Sequence, residues 1–210
     1  MVILSEDPIT IQALTEPDNS GSMAFEEKGE RIKDLKLILS RVAYAASLFD
    51  SDGIDLRFMN WKLTQAETER VLDGIRSEQQ VEALVAQVPF KGLTPIGTEL
   101  RNQVIDPLVV GRARLGKLEK PVLIITITDG QPAGENPGTL AETIRYTVNE
   151  LSRMPKYGRG AASFQFAQVG NDKQAQEFLS ALDSEPGIGD LIDCTSSKSL
   201  SYASTLGQEY

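Results

Sequence analysis

The stretch PVLIITIT, residues 121–128, is the clearest β-strand in the chain. Its unbroken run of apolar and β-branched residues is typical of a strand buried on both faces, as in the centre of a parallel sheet. Strand-like and helix-like segments alternate on either side of it. We therefore predict an α/β fold, Rossmann-like and doubly wound, with a mostly parallel central sheet and helices on both faces.

The other elements follow from hydrophobic periodicity and from turn residues. We predict further strands over residues 9–14, 54–60, 162–169 and 191–194. We predict helices over residues 28–48, 65–88 with an interruption near Ser77, 98–110, 139–154, 173–182 and 199–206. No repeat or linker divides the chain, so we expect a single domain over residues 1–210 with a core from about residue 9 to about residue 195.

The composition limits the possible functions. The 210 residues carry a net charge of -9, which argues against a nucleic-acid partner. Histidine is absent, which excludes histidine-based triads and the commonest zinc ligands. Cys194 is the only cysteine, and no stretch has the apolar length of a membrane span. We expect a soluble, cytoplasmic monomer that does not bind membranes.

The first candidate site is the polar turn Asp18-Asn19-Ser20-Gly21-Ser22-Met23. It places one carboxylate and two hydroxyls at alternate positions. Hard cations such as Mg²⁺ take oxygen ligands and keep several waters, so this turn can supply half of a metal site. The same residue types also form helix caps and Asx turns, so the turn by itself is compatible with either role.

Two further oxygen-bearing segments are expected at the same edge of the sheet. Ligands of open α/β sheets bind at the carboxyl ends of the strands, where neighbouring connections diverge. Asp129 follows the central strand, although Asp before Gly130 also fits a plain turn, and Thr94 lies in the loop GLTPIGT, residues 92–98. We choose Thr94 over Thr98 because Thr98 is placed to cap the next helix. The predicted Mg²⁺ or Mn²⁺ site consists of Asp18, Ser20, Ser22, Thr94 and Asp129.

The motifs DNSGSM, GLTPIGT and ITDGQP, in this order within an alternating α/β chain, resemble those of the von Willebrand factor type A (vWA) domain with its metal-ion-dependent adhesion site (MIDAS). The resemblance covers nearly the whole chain. It implies that Ser20, Ser22 and Thr94 bind the metal through their hydroxyls, while Asp18 and Asp129 act mainly through bridging waters. It also implies that a Glu or Asp carboxylate of a partner protein completes the coordination, because a metal ion with few anionic ligands stays electrophilic.

The segment before the first motif departs from the family pattern. Family members usually have an apolar strand up to the first Asp, whereas this chain has Thr15, Glu16 and Pro17. Pro17 cannot donate to a sheet ladder, and Glu is seldom buried. We therefore expect the first strand to end early or to bulge, which would move Asp18 off the family position, and Glu16 to be a solvated loop residue.

We expect a noncatalytic protein-binding module that captures an acidic residue of a partner at a MIDAS. One alternative is a metal-dependent phosphoryl-transfer enzyme. Such an enzyme would be expected to carry a second Asp two residues after its nucleophile, and position 20 is Ser. The other alternative is a scaffold vWA domain whose metal site is degenerate.

Overall fold

Five parallel strands form one sheet in the order β2-β1-β3-β4-β5. The structure is a computed structural model that describes residues 12–49 and 52–196. The strands are β1 (Gln12–Pro17), β2 (Ile54–Leu56), β3 (Val122–Thr128), β4 (Ala162–Gln168) and β5 (Ile192–Ser196). The predicted α/β fold with a parallel central sheet is confirmed.

Helices connect the strands and cover both faces of the sheet. They are α1 (Gly21–Phe25), α2 (Glu30–Phe49), α3 (Gln65–Val71), α4 (Glu78–Val85), α5 (Ile96–Glu99), a π-helix (Leu100–Val110), α6 (Gly111–Arg114), α7 (Thr139–Ser152) and α8 (Lys173–Asp183). Short 3-10 turns occupy Glu27–Gly29, Arg159–Ala161 and Gly189–Leu191. None of the helices in the described part of the chain combines the length and the apolar character needed to cross a membrane.

Each face of the sheet has its own apolar core. On one face, helices α2 and α4 pack on a cluster that includes Ala13, Ile125 and Ile127. On the other face, the π-helix, α7 and α8 pack on a cluster that includes Leu14 and Ile124. Neighbouring residues of β3 alternate between the two cores, which explains why the strand consists of apolar and β-branched residues throughout.

Strand β1 extends further than we predicted. We expected it to end by Leu14 or to bulge, but Thr15, Glu16 and Pro17 pair in regular register with β3. Glu16 is fully buried, so the prediction of a solvated loop residue is wrong. The physical reason is that β3, a long buried strand, provides a regular ladder of partners for the whole of β1.

Pro17 limits the sheet on the other side of β1. We predicted β2 over residues 54–60, but its ladder with β1 ends at Leu56, opposite Thr15. The next pairing would need an N–H at position 17, which proline lacks. The amides of Arg57 and Met59 still donate to the carbonyls of Thr15 and Pro17. Proline thus shortens β2 and leaves β1 intact.

The predicted helices that fall within the described residues occur, and the helix predicted over residues 98–110 differs in detail. The interruption near Ser77 is confirmed, because Ser77 caps α4 by accepting from the Gln80 amide. The predicted helix 98–110 begins at Ile96 and becomes a π-helix that contains Pro107. Residues 9–11 of the predicted first strand and the predicted helix 199–206 lie outside the described residues.

Candidate metal centre

The candidate residues meet at the point in the sheet where the order of successive strands reverses. The chain passes from β1 to β2 on one side and from β3 to β4 on the other, so β1 and β3 flank the topological switch point. Their carboxyl ends lie side by side, and the Asp18 amide donates to the Ile127 carbonyl over 2.7 Å. Asp18 and Asp129 follow these two strand ends, which is where α/β sheets form ligand crevices.

A chain of hydroxyl groups connects the first motif to the third. The Ser22 hydroxyl donates to Oδ1 of Asp129 over 3.1 Å, and the two serine oxygens, Oγ of Ser20 and Oγ of Ser22, are 2.9 Å apart. Because Ser22 gives its only proton to Asp129, Ser20 must be the donor between the serines. The structure therefore brings Ser20, Ser22 and Asp129 into contact across 107 residues of sequence.

Asp18 holds the turn in shape. Its Oδ1 accepts from the Ser20 amide over 2.7 Å, and its Oδ2 accepts from the Thr128 hydroxyl over 2.8 Å. Its side chain is fully buried. The pKa of Asp18 is raised to about 6. Burial is the largest cause, and the charge of Asp129 is the second. Asp18 is therefore next to the serines even though Glu16 and Pro17 precede it.

The loop that carries Thr94 lies against this turn. The Lys91 amide donates to the Asn19 carbonyl over 2.8 Å, and the Gly21 amide donates to the Gly92 carbonyl over 3.2 Å. Thr94 is buried, and its carbonyl accepts from the Ala133 amide in the loop after β3. Within the described ranges, the Thr94 hydroxyl has no hydrogen-bond partner, so its oxygen is available to a ligand.

Thr98 has a different partner. Its amide and its hydroxyl both donate to Oε2 of Glu135 over 2.7 Å, and the Gly97 amide donates to Oε1 of the same carboxylate. Glu135 thus satisfies the free amides at the start of α5. The choice of Thr94 over Thr98 as the candidate ligand agrees with this geometry.

Arg31 of helix α2 forms an ion pair with the candidate site. Its Nη1 donates to Oδ2 of Asp129 over 2.5 Å, and its guanidinium also contacts Glu26 and Glu27. Arg31 is only 5% exposed. Sequence reasoning did not find Arg31, because Arg31 and Asp129 are 98 positions apart and no motif includes the arginine.

Asn19 and Glu16 are the other residues whose roles the sequence did not reveal. Asn19 is buried and ties the turn to two loops, since its Nδ2 donates to the Pro89 carbonyl and its Oδ1 accepts from the Asn60 amide. Glu16 accepts from the Thr126 hydroxyl over 3.3 Å through Oε2, whereas its Oε1 has no hydrogen-bond partner among the described residues. Burial raises the pKa of Glu16 well above its ordinary value.

The donor set fits a small hard cation. All candidate ligand atoms are oxygens, and hydroxyl and carboxylate oxygens suit Mg²⁺ or Mn²⁺. Across residues 12–49 and 52–196, no three Asp, Glu or Cys side chains gather closely enough to hold a metal by themselves. A metal at this rim would therefore depend on the hydroxyls of Ser20, Ser22 and Thr94 and on water, with Asp18 and Asp129 nearby.

Two apolar side chains flank the cluster and face solvent. Phe25 ends helix α1 and is 84% exposed, and Leu93 precedes Thr94 and is 60% exposed. A Cβ placed at Gly21, between the two serines, would lie 3.7 Å from the Phe25 ring and 4.0 Å from the Gly92 carbonyl oxygen. The polar cluster is thus bordered by exposed apolar surface.

The fold and the site define the chain as an α/β sheet domain with an oxygen-donor cluster at its switch point. Its fold is that of the vWA domain, as comparison with solved structures shows. A von Willebrand factor type A protein from Catenulispora acidiphila is 16% identical, with a TM-score of 0.55 over 89% of this chain and 38% of the other. Proximal thread matrix protein 1 from the mussel byssus is also 16% identical, with a TM-score of 0.60 over 94% of this chain and 47% of the other.

A second structure of the mussel protein has a zinc-occupied MIDAS motif; it is 17% identical and has a TM-score of 0.53. At these identities the likeness concerns the fold. The chain spans less than half of the length of these proteins. No protein-family model matches the chain, and no curated protein sequence matches it.

Proposed function

We propose that the chain is a noncatalytic binding module that holds Mg²⁺ or Mn²⁺ at the rim of its sheet and uses the ion to capture a Glu or Asp carboxylate of a partner protein. Ser20, Ser22 and Thr94 would hold the ion through their hydroxyls, and Asp18 and Asp129 would act through water. The bound ion supplies a Lewis acid that attracts an anionic ligand.

The observation that carries this proposal is the meeting of three separate loops at the switch point. The Asp18–Ser22 turn, the Thr94 loop and the end of β3 are joined there by direct hydrogen bonds. The mussel protein with the same fold and a zinc-occupied MIDAS motif supports a divalent metal at this place. The exposed side chains of Phe25 and Leu93 support a macromolecular ligand, because they offer apolar contact area beside the polar cluster.

The engagement of both aspartates supports a noncatalytic role. Each oxygen of Asp18 accepts a hydrogen bond, and Asp129 accepts from Ser22 and from Arg31. A carboxylate that acts as a nucleophile in phosphoryl transfer needs an oxygen free to attack phosphorus. The site as built offers hydroxyl oxygens to a cation, and both aspartate side chains are buried, with each oxygen already accepting a hydrogen bond.

Selection from a random peptide library tests the proposal. We expect peptides selected in Mn²⁺ to share a Glu or Asp, to lose binding when this residue becomes Gln or Asn, and to be released by EDTA. Thr94→Val should weaken their binding at least about tenfold, since it removes one metal ligand. Its fold stability should change little, because the hydroxyl has no partner within the described ranges.

Thr98→Val is the matched control. It removes a hydroxyl only four positions away that bonds to Glu135, so it should lower stability and leave peptide affinity nearly unchanged. Selected peptides that bind equally well in EDTA, or that have no acidic residue in common, would overturn the proposed function.

A further inference from the structure

Arg31 places a permanent positive charge inside the candidate metal site. Its Nη1 lies 2.5 Å from Oδ2 of Asp129, and both side chains are almost fully buried. The other oxygen of Asp129, Oδ1, accepts from Ser22. The carboxylate thus divides its two oxygens between a guanidinium on one side and the hydroxyl chain on the other.

The surroundings of Arg31 fix it in this position. Its Nε and Nη2 donate to Oε1 of Glu27 over 3.1 and 3.0 Å, and Glu26 adds a further ion pair. A Cβ at Gly170, just after β4, would lie 2.8 Å from the Arg31 Nε and 2.8 Å from the Glu27 carboxylate. Glycine at position 170 therefore leaves the space that the guanidinium and its partner occupy.

The turn that supplies Glu27 is held in an unfavourable backbone conformation. Glu27 and Lys28 have φ values of 50° and 55°, in the left-handed region that residues with a Cβ seldom adopt. Such backbone persists only where surrounding contacts over-determine it. The contacts of Glu27 with Arg31 are among those that hold the turn, which links the α1–α2 junction to Asp129.

We propose that Arg31 is an internal counter-cation of Asp129 that competes with the divalent metal: it stabilises the metal-free domain and lowers its affinity for the metal alone. The inference rests on the proposed function in one respect, which is that the metal binds at the Ser20–Ser22–Asp129 cluster. Arg31 is a positioning residue in this proposal, because it acts through Asp129.

The charges in the site give the reason. Without Arg31, a dication at the cluster would face two carboxylates, Asp18 and Asp129. With Arg31, whose guanidinium is shared among Asp129, Glu26 and Glu27, part of the charge of Asp129 is balanced, and the guanidinium repels a second cation that approaches the same carboxylate. This repulsion acts in a buried region where water screens little. A partner carboxylate then offsets the excess positive charge, so metal and acidic ligand strengthen each other's binding.

Titration with Mn²⁺ alone tests the inference in the full chain. The variant Arg31→Met keeps most of the side-chain volume and removes the charge. We expect it to bind Mn²⁺ at least about tenfold more tightly than the wild type at low salt, measured from free Mn²⁺ by electron paramagnetic resonance. Arg31→Lys retains the charge and should stay within about threefold of the wild type.

Arg57→Met is the matched control for loss of a buried ion pair. Arg57 is also buried, and its Nη1 lies 2.5 Å from Oδ1 of Asp73, away from the candidate metal residues. Both Met variants should unfold at lower urea concentration than the wild type in EDTA. Compared with the wild type in the same saturating Mn²⁺, the stability deficit of Arg31→Met should shrink, whereas the deficit of Arg57→Met should stay as large as in EDTA.

The possible results separate the two proposals. If wild type and Arg31→Met bind Mn²⁺ with equal affinity, the inference is wrong and the proposed metal site stands. If only Arg31→Met binds Mn²⁺ on its own, the inference holds, and the proposed function is wrong if the wild type also fails to bind Mn²⁺ in the presence of a saturating acidic peptide. If neither binds Mn²⁺, or if Arg31→Met binds it more weakly, the inference is overturned. Should Arg31→Met fail to fold, the Glu27→Gln variant replaces it. This variant removes the charge of a carboxylate that holds Arg31, and a less constrained Arg31 should change the affinity for Mn²⁺. An unchanged affinity would contradict the inference.

Discussion

At the scale of single residues, the site depends on carboxyl groups that are buried before any metal binds. Glu16 and Asp18 lie two positions apart at the end of β1, and neither is accessible to solvent. The pKa of each is raised, with burial as the largest cause. Each of these carboxyl groups therefore takes up its proton at a higher pH in the folded protein than it would in water.

This burial predicts how the stability of the metal-free protein depends on pH. The pKa of Asp18 is about 6 in the folded protein against an ordinary 3.8. Between these values the folded state binds a proton that the unfolded chain releases, so the Asp18 contribution to the free energy of unfolding falls as pH rises from about 4 to about 6. Asp18→Asn does not titrate and lacks this contribution.

Urea unfolding in EDTA at about pH 4 and about pH 6.5 measures this effect. Over that interval we expect the wild type to lose stability relative to Asp18→Asn by on the order of 2 kcal/mol. The raised pKa of Glu16 acts in the same direction in both proteins and largely cancels in the difference. A difference between the two proteins that stays constant with pH would mean that Asp18 is already charged at about pH 4.

The residue types of the candidate site could be predicted from sequence, whereas their partners could not. Asp18, Ser20, Ser22 and Asp129 lie in short motifs directly after strands, and parallel topology brings strand ends together. Arg31 lies near the start of an amphipathic helix pattern and looks like any solvated arginine. Its contact with Asp129 depends on the left-handed turn before α2, which local sequence does not signal.

At the scale of elements, the Thr94 loop is positioned by close packing of helix α5 on helix α7. Gly97 makes this possible, because a Cβ there would collide with the backbone of Leu140. The Thr143 hydroxyl in α7 donates to the Gly97 carbonyl over 3.0 Å, which also depends on close approach. The loop that presents Thr94 is thus positioned in part by the contact of Gly97 with α7.

Gly97→Ala tests this packing. Alanine is the better helix former, so helix propensity alone would stabilise the variant. We expect the reverse, a loss of about 2 kcal/mol in the free energy of unfolding, because overpacking forces α5 and α7 apart. Gly160→Ala is the control, since a Cβ there meets nothing within 4 Å, and it should change stability by less than about 0.5 kcal/mol. Equal stability of the two variants in urea unfolding would contradict the packing argument.

Strand boundaries show what periodicity can and cannot predict. The apolar pattern predicted β3 almost to the residue, because its burial on both faces determines its composition. It missed the last three residues of β1, Thr15 to Pro17, because polar residues and proline argue against a strand. Register with β3 outweighed those local preferences. Likewise, the sequence predicted a helix after Thr94 but not its π-helical part, which contains Pro107.

At the scale of the whole molecule, the chain has the vWA fold, and the rim of its sheet brings together hydroxyl oxygens, the carboxylates of Asp18 and Asp129, and Arg31. The exposed side chains of Phe25 and Leu93 border the rim. Alternating strands and helices predicted this architecture. The apolar border and the internal cation required the three-dimensional structure.

The proposed function requires a divalent ion to bind among the hydroxyls of Ser20, Ser22 and Thr94 at this rim. A crystal of the protein grown with Mn²⁺, with diffraction recorded for the anomalous signal of manganese, tests it most directly. We expect an anomalous peak within about 2.4 Å of the hydroxyl oxygens of Ser20, Ser22 and Thr94. The absence of a peak at this rim, with Ser22 still donating to Asp129 in saturating Mn²⁺, would contradict it.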